Sequence, residues 1–349
     1  MESGRFRQLL AAPGPFASVY FADSEDADGA GDQLDLNWRA LRAQLEQQGA
    51  DASVTAEIEH AFMNLRSPIG RGGRVVVAGP TGVVLNEILL RPVAEPVVRV
   101  SQLPYILPIL EYGFEHSHYL LVVVDPMGAF ITTHTDVTRR SETVEADGYG
   151  DLKLRAVADR VSELVNDASF DAVFVVGDVG SRSDLLAALP EWVRERATSL
   201  PIGVRPGGYD FEEIQRALDA MLQRQRLSVI DSAAERFNAE VGRRSGLAAE
   251  GLGAVCSALR QRSVATLILG EVGDATVVAD EGLTTIAPNA NELSEQGAAS
   301  AKTLRADEAL PLFAISIGVS VVCTDERIAP ADGVGAVLRY ATTLHETAP

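Results

Sequence analysis

Apolar positions along this chain repeat with two periods, and the switches between them outline its elements. Phe16–Phe21 is a short apolar run behind the breaker Pro13-Gly14-Pro15 and predicts a strand. Leu34, Trp38, Leu41 and Leu45 lie on one helical face, and Val54, Ile58, Phe62 and Leu65 repeat that spacing for a second helix. Arg74–Ala78 and Val83–Leu90 flank Gly79-Pro80-Thr81-Gly82 and predict a β-hairpin. Tyr119–Val124 and Ala129–Thr133 flank a second turn, Asp125–Gly128. Leu154, Val157, Val161 and Leu164 mark a helix, and Ala172–Val176 a strand buried on both faces. Ser181–Asp184 has the form of a capping box and predicts the next helix start. Phe211, Ile214, Leu218 and Met221 open a helical stripe that meets no breaker before Gly242, so one long helix can join two units. Leu252, Val255 and Leu259 predict a helix, Thr266–Leu269 and Thr276–Ala279 strands, and Ala306 the start of a helix with Pro311 in its early turns. Val319–Cys323 and Val334–Tyr340 read as closing strands.

These patterns fall into three α/β units, 1–114, 115–224 and 225–349, within the domain count that 349 residues suggest. With 46% hydrophobic residues each unit can bury a core. No apolar run reaches membrane-spanning length and no signal-like start is visible, so a soluble cytoplasmic protein is expected. Cys256 and Cys323 lie in apolar stretches and read as free thiols. The net charge of −19 leaves each unit acidic and argues against a general nucleic-acid or DNA binder. Any RNA contact must rest on small arginine clusters or on shape. Almost all of the basic residues are arginine, with only Lys153 and Lys302 as lysines.

The sequence offers few groups for catalysis. It has no phosphate-binding Gly-rich fingerprint and no nucleophile elbow. His116 and His118 share a spacing of two, but no cysteine or HExxH helix accompanies them, so metal binding is not expected. Asp125 and Asp178 end strands and, with Glu163, are the acids a ribonuclease-H-like metal site could use. Solvated strand-end acids are the simpler reading. The Gly70–Gly73 cluster within Arg66–Arg74 (RSPIGRGGR) reads as a flexible turn before a strand, with Arg66, Arg71 and Arg74 available for local RNA contact.

The third unit carries a resemblance. Gly242–Leu252 (GRRSGLAAEGL) leads through Val255 and Leu259 to Ser263–Glu271 (SVATLILGE), and the unit closes on Asp332–Tyr340 (DGVGAVLRY). The series resembles the C-terminal domain of the archaeal and eukaryotic class 1 release factors and of Pelota. Gly14–Phe21 (GPFASVYF), Arg155–Asp159 (RAVAD), Ser181–Leu186 (SRSDLL) and Ala306–Pro311 (ADEALP) are similar to the bacterial branch that includes the ribosome hibernation factor Balon. The resemblance implies a decoding-centre-type first domain and a ribonuclease-H-like middle domain that reaches the peptidyl-transferase centre. It implies an α/β/α-sandwich third domain that faces partners, with EF-Tu as the GTPase associated with Balon-like members. The Gly-Gly-Gln tripeptide of release is absent, as is the Asn-Ile-Lys-Ser decoding motif.

The expectation is therefore a non-enzymatic ribosome-binding factor of dormancy or stress, without cofactor or metal, seated in the A site against rRNA. Arg66, Arg71 and Arg74, with Arg139 and Arg140 in a loop over 137–151, are the expected contacts. A peptidyl-tRNA hydrolase or nuclease using other residues, and a protein-binding adaptor that touches no RNA, are the competing readings. Three separable units predict that limited proteolysis cuts first near 113–117, within 137–150 or near 242–246. A single resistant fragment spanning the chain contradicts that division.

Overall fold

The computed structural model describes residues 6–24, 30–64, 71–89, 91–113, 119–134, 139–145, 154–168, 170, 172–200, 202, 211–295, 297–298, 302–324 and 328–341. The first unit contains α1 (Arg7–Ala11), β1 (Phe16–Ser24), α2 (Ala30–Gln47), α3 (Ala52–Met63), β2 (Arg71–Gly79), β3 (Gly82–Leu89), β4 (Val97–Ser101) and α4 (Leu107–Tyr112). Its antiparallel sheet runs β3-β2-β1-β4. Alternation along β1 and β2 splits the side chains between two cores. Ala17, Val19, Phe21, Val76 and Ala78 meet Trp38, Leu41, Leu45, Val54, Ile58 and Phe62 of α2 and α3. Phe16, Tyr20, Val75 and Val77 face the other way. The expected turn at 70–73 is in part strand, because Arg71, Gly72 and Gly73 pair with Ser24, Asp23 and Ala22. Leu65 lies outside the described residues.

The middle unit holds β5 (Tyr119–Asp125), β6 (Gly128–His134), β7 (Arg139–Glu145), α5 (Arg155–Ala168), β8 (Ala172–Gly177), α6 (Val179–Ala188), α7 (Glu191–Arg194) and β9 (Ala197–Ser199). The sheet order is β7-β6-β5-β8-β9, with β5, β6 and β7 antiparallel and β8 and β9 parallel to β5. This is the ribonuclease-H-like arrangement. Leu120, Val122 and Val124 face α5 and α6, while Tyr119, Leu121 and Val123 face the helix that follows β9. Two local expectations change. The N-cap of α6 is Asp178, which accepts from the Ser181 amide at 3.0 Å, so the helix opens earlier than the capping-box pattern placed it. Residues 139–145 are not loop: they form β7, held by pairing with β6.

That next helix, α8 (Phe211–Arg243), is 33 residues long, about 50 Å at helical rise. The 224/225 boundary falls inside it. Ile214 and Leu218 pack on the middle sheet, and Ile230, Ala233, Ala234 and Phe237 on the third unit. The third unit continues with β10 (Ala248–Glu250), α9 (Leu252–Arg260), β11 (Val264–Leu269), β12 (Thr276–Ala279), β13 (Ile286–Ala287), α10 (Ala290–Glu295), β14 (Lys302–Arg305), α11 (Ala306–Ser316), β15 (Ser320–Cys323) and β16 (Val334–Leu338). Its main sheet, β10-β16-β11-β15, lies between α8 on one side and α9 with α11 on the other, an α/β/α sandwich. Gly335 in β16 is required by packing, because a Cβ there meets the Phe237 ring at 2.8 Å.

The first and third units share a core. Leu312 and Ile315 of α11 join Phe6, Leu9, Tyr20, Val75, Val77, Ile106 and Ile109 in one cluster. Arg99 of β4 crosses the junction: its guanidinium lies over the Tyr105 ring at 4.1 Å and meets Asp307 at 3.0 Å and Glu308 at 3.3 Å. Arg305 adds a second contact to Asp307 at 3.0 Å. The Tyr20 hydroxyl donates to the Tyr105 carbonyl, and the Ser18 hydroxyl accepts from the Tyr105 amide.

Burial raises the Glu308 carboxyl above the ordinary carboxylate range, with the Ser101 hydroxyl and Arg99 opposing. The folded protein then keeps this proton to higher pH than the unfolded chain does. The stability that this group contributes is full at low pH and is lost as pH rises through the raised folded value. Glu308→Gln retains an acceptor for Arg99 and removes the titration. Urea midpoints measured from about pH 4 to pH 7 are expected to fall less with rising pH in the variant than in the wild type. Parallel curves contradict the assignment.

Candidate functional site

The arginines singled out from the sequence occupy three different situations. Arg74 sits inside β2, one of the strands covered by α2 and α3. It is only 4% exposed. Its Nε donates to Asp23 Oδ2 at 2.7 Å and its Nη1 to Asn86 Oδ1 at 3.1 Å. Both partners lie two residues along neighbouring strands from the positions opposite Arg74, the diagonal reach expected on one sheet face. Arg74 is therefore a core residue, and the expectation that it meets RNA is corrected. The signal was present in the sequence: Arg74 alternates in phase with Val76 and Ala78, which face the helices. Arg71 opens the same strand opposite Ser24, with its side chain outside the description, and Arg66 lies outside the described residues.

Arg139 and Arg140 open β7, opposite His134 and Thr133. Arg140 is exposed on the face of Glu142 and Val144. On that face Arg160 of α5 takes both Glu142 oxygens, at 2.6 and 2.9 Å, and reaches Glu163 at 3.1 Å. The hydrogen bond from Arg160 draws the Glu142 carboxyl below its ordinary value. The Arg139 side chain is outside the description.

The candidate acids are engaged in local structure. Asp125 Oδ1 accepts the amides of Met127 at 2.7 Å and Gly128 at 3.1 Å and closes the β5–β6 turn. Asp178 caps α6, and the Ser181 hydroxyl at 2.6 Å is the main cause of its lowered pKa. Glu163 pairs with Arg160. Among the described residues no three His, Cys, Asp or Glu side chains come together as metal ligands. His134 is buried and stacks on Tyr119 at 4.1 Å, while His116, His118 and His345 lie outside the described residues. Cys256 is buried and its thiol is pushed up to about 12 by burial, which suppresses the nucleophilic thiolate. Cys323 forms no disulfide and is partly exposed.

Sequence reasoning missed two features. One is the Arg99 junction, which gives Asp307 and Glu308 of the ADEALP segment a physical task. The other is the tip of the middle sheet. Val124 and Gly177 pair in parallel, so the Met127 turn and Val179 leave the same end of adjacent strands. Both side chains are more than 70% exposed. Periodicity cannot find such residues, because each belongs to a turn or a helix start.

The family described as bacterial archaeo-eukaryotic release factor family 2 matches residues 151–243. The uncharacterised protein Rv2629 of Mycobacterium tuberculosis is 41% identical over 366 aligned residues, covering 98% of each chain. Among solved structures, Dom34 of S. cerevisiae aligns with 78% of this chain and 81% of its own at 12% identity and a TM-score of 0.42. Pelota of Archaeoglobus fulgidus aligns with 78% and 85% at 17% identity and a TM-score of 0.36.

Removing one partner of a buried ion pair leaves the other charge uncompensated. Asp23→Ala is expected to cost about 3 kcal/mol in urea unfolding, the low end of that effect because Asn86 remains. Asp23→Leu with Arg74→Met is expected to recover most of the loss. A loss below about 1 kcal/mol in Asp23→Ala contradicts the structural role of Arg74.

Proposed function

We propose a non-catalytic ribosome-docking role for this chain, which belongs to the bacterial archaeo-eukaryotic release factor family. The observation that carries the proposal is a mismatch inside the middle unit. Residues 151–243 match the release-factor family, yet the chain contains no Gly-Gly-Gln; its two Gly-Gly pairs are followed by Arg74 and Tyr209. Release requires a group that positions water at the peptidyl ester. Asp125, Asp178 and Glu163, the acids nearest to that role, are committed to a turn, a helix cap and an ion pair.

In this reading the protein occupies the A site of idle ribosomes. The first unit lies toward the decoding centre and the middle unit toward the peptidyl-transferase centre. The third unit is left for a partner GTPase of the EF-Tu type. Membrane attachment plays no part, and no helix among the described residues is long and apolar enough to cross a bilayer. The −19 charge and the burial of Arg74 restrict phosphate contact to a few arginines such as Arg140. Ribosome affinity then falls only shallowly with salt, by a slope of about −0.7 to −0.9 per contact. The same charge favours the competing reading, an adaptor that binds protein alone.

Sucrose-gradient fractionation of stationary-phase cell extract tests the proposal. The chain is expected in the ribosomal fractions, and purified chain is expected to leave peptidyl-tRNA on isolated ribosomes intact. A chain confined to the top of the gradient contradicts ribosome docking. Ester cleavage abolished by a point substitution within 115–224 contradicts the non-catalytic role.

A further inference from the structure

The third unit carries a basic and aromatic surface that the docking role does not use. Three chain segments meet at one end of its main sheet. β16 ends there, with the Leu338 amide donating to Leu247 and the Arg339 amide to Ser263. Leu247 stands just before β10, at the turn that follows α8, and Ser263 just before β11, at the turn that follows α9. Exposed at this end are Arg243 as the last residue of α8, Arg244 after it, Arg262 after α9, and Arg339 and Tyr340 after β16. Tyr340 is 71% exposed. Arg243 pairs with Glu240 at 3.3 Å, and Glu240 also takes the Ser245 hydroxyl at 2.5 Å. Arg244, Arg262 and Arg339 make no ion pair among the described residues. At the opposite end of the same strands stand acids: Glu250 ends β10, Glu271 follows β11 and Asp332 precedes β16. The sheet thus segregates charge along its strands in a chain that is acidic as a whole.

Two of these arginines have an unfavourable backbone. Arg244 and Arg262 both have φ 53°, in the left-handed region, just past the ends of α8 and α9. That is the helix-terminating position where glycine is the favoured residue. A cation near a helix C-terminus gains something from the helix dipole, but a left-handed backbone costs a side-chain-bearing residue more than an exposed charge there returns. Arginine at both positions therefore carries a conformational cost that glycine would avoid.

We propose that this end of the third unit is an RNA-binding surface: Arg244, Arg262 and Arg339 bind backbone phosphates and Tyr340 stacks on an unpaired base. Arginine suits planar phosphate contact, and an exposed aromatic beside it is the usual platform for a single-stranded base. The surface adds a nucleic-acid contact to the unit otherwise left for a partner, and it needs no ribosome, so either proposal can fail alone.

Fluorescence anisotropy of a labelled oligouridylate of about twelve nucleotides, titrated with the full chain, tests this. Saturable binding is expected, weakening with salt by a slope of about −2 for three single-strand contacts. Arg244→Gly with Arg262→Gly is expected to hold or raise the melting temperature while weakening binding about 20-fold near 0.1 M salt, roughly fivefold per lost contact. Arg339→Gln with Tyr340→Ser leaves the helix ends intact and is expected to weaken binding at least about 25-fold, about fivefold for the lost phosphate contact and about fivefold or more for the lost stacking. No binding by the wild type overturns the proposal, as does wild-type affinity in the Arg339/Tyr340 variant. A lowered melting temperature with unchanged affinity in the glycine variant assigns both arginines to the helix ends and also overturns it. Polyglutamate that displaces the oligouridylate as well as unlabelled RNA does marks a surface for an acidic protein instead.

Discussion

The arrangement of this protein depends on one helix that has no face for solvent until its end. From Ala306 to Ile315 every residue of α11 is buried, Asp307 and Glu308 included. A helix that is apolar nearly all round must be covered all round. Leu310, Phe313 and Ala314 meet the sheet of their own unit. Leu312 and Ile315 are covered by the first unit. Without that second layer the apolar face is left in water, so the ends of the chain are tied together across the intervening middle unit. The two acids in the first turn suit the positive end of the helix, and Arg99 supplies the partner that buried carboxylates need.

The second constraint is the continuous α8. One end of it covers the middle sheet and the other end the sheet of the third unit, so a single rigid rod links two cores. The closing motif of the chain belongs to this packing. Gly335 lets Phe237 of α8 lie against β16, and Gly333 adopts a left-handed φ of 70° where a Cβ would meet the Glu271 carbonyl at 2.2 Å. Part of what makes the DGVGAVLRY segment resemble the release factors is thus steric: its glycines hold the helix against the sheet. Its last two residues are outside that packing and exposed, which leaves them free for contact.

Charge on this protein has to be judged by the side of the sheet it occupies. Arg74 and Arg140 both lie on strands, yet one is locked to Asp23 within the core and the other is exposed at an edge. Net charge and local arginine density do not separate these cases. Burial does, because a guanidinium taken out of water must find fixed acceptors and is then no longer available to a phosphate.

Strand and helix periodicity determined much of the fold. Val54–Ile58–Phe62, Ala172–Val176 and the stripe opening at Ile214 identify their elements because each buries a face of fixed period. The missing Gly-Gly-Gln likewise is a property of the sequence alone. The short strands β4, β7, β9 and β10 were not legible, since their pairing comes from distant partners rather than from their own residues. The capping of α6 by Asp178, three residues before Ser181, was decided by where β8 ends. The burial of Arg74 and the meeting of Arg99 with Asp307 and Glu308 belong to tertiary structure as well. So does the gathering of Arg244, Arg262, Arg339 and Tyr340 at one sheet end. A sequence orders residues along one line, whereas availability to a partner depends on which residues pairing and packing bring together and which of them water still reaches.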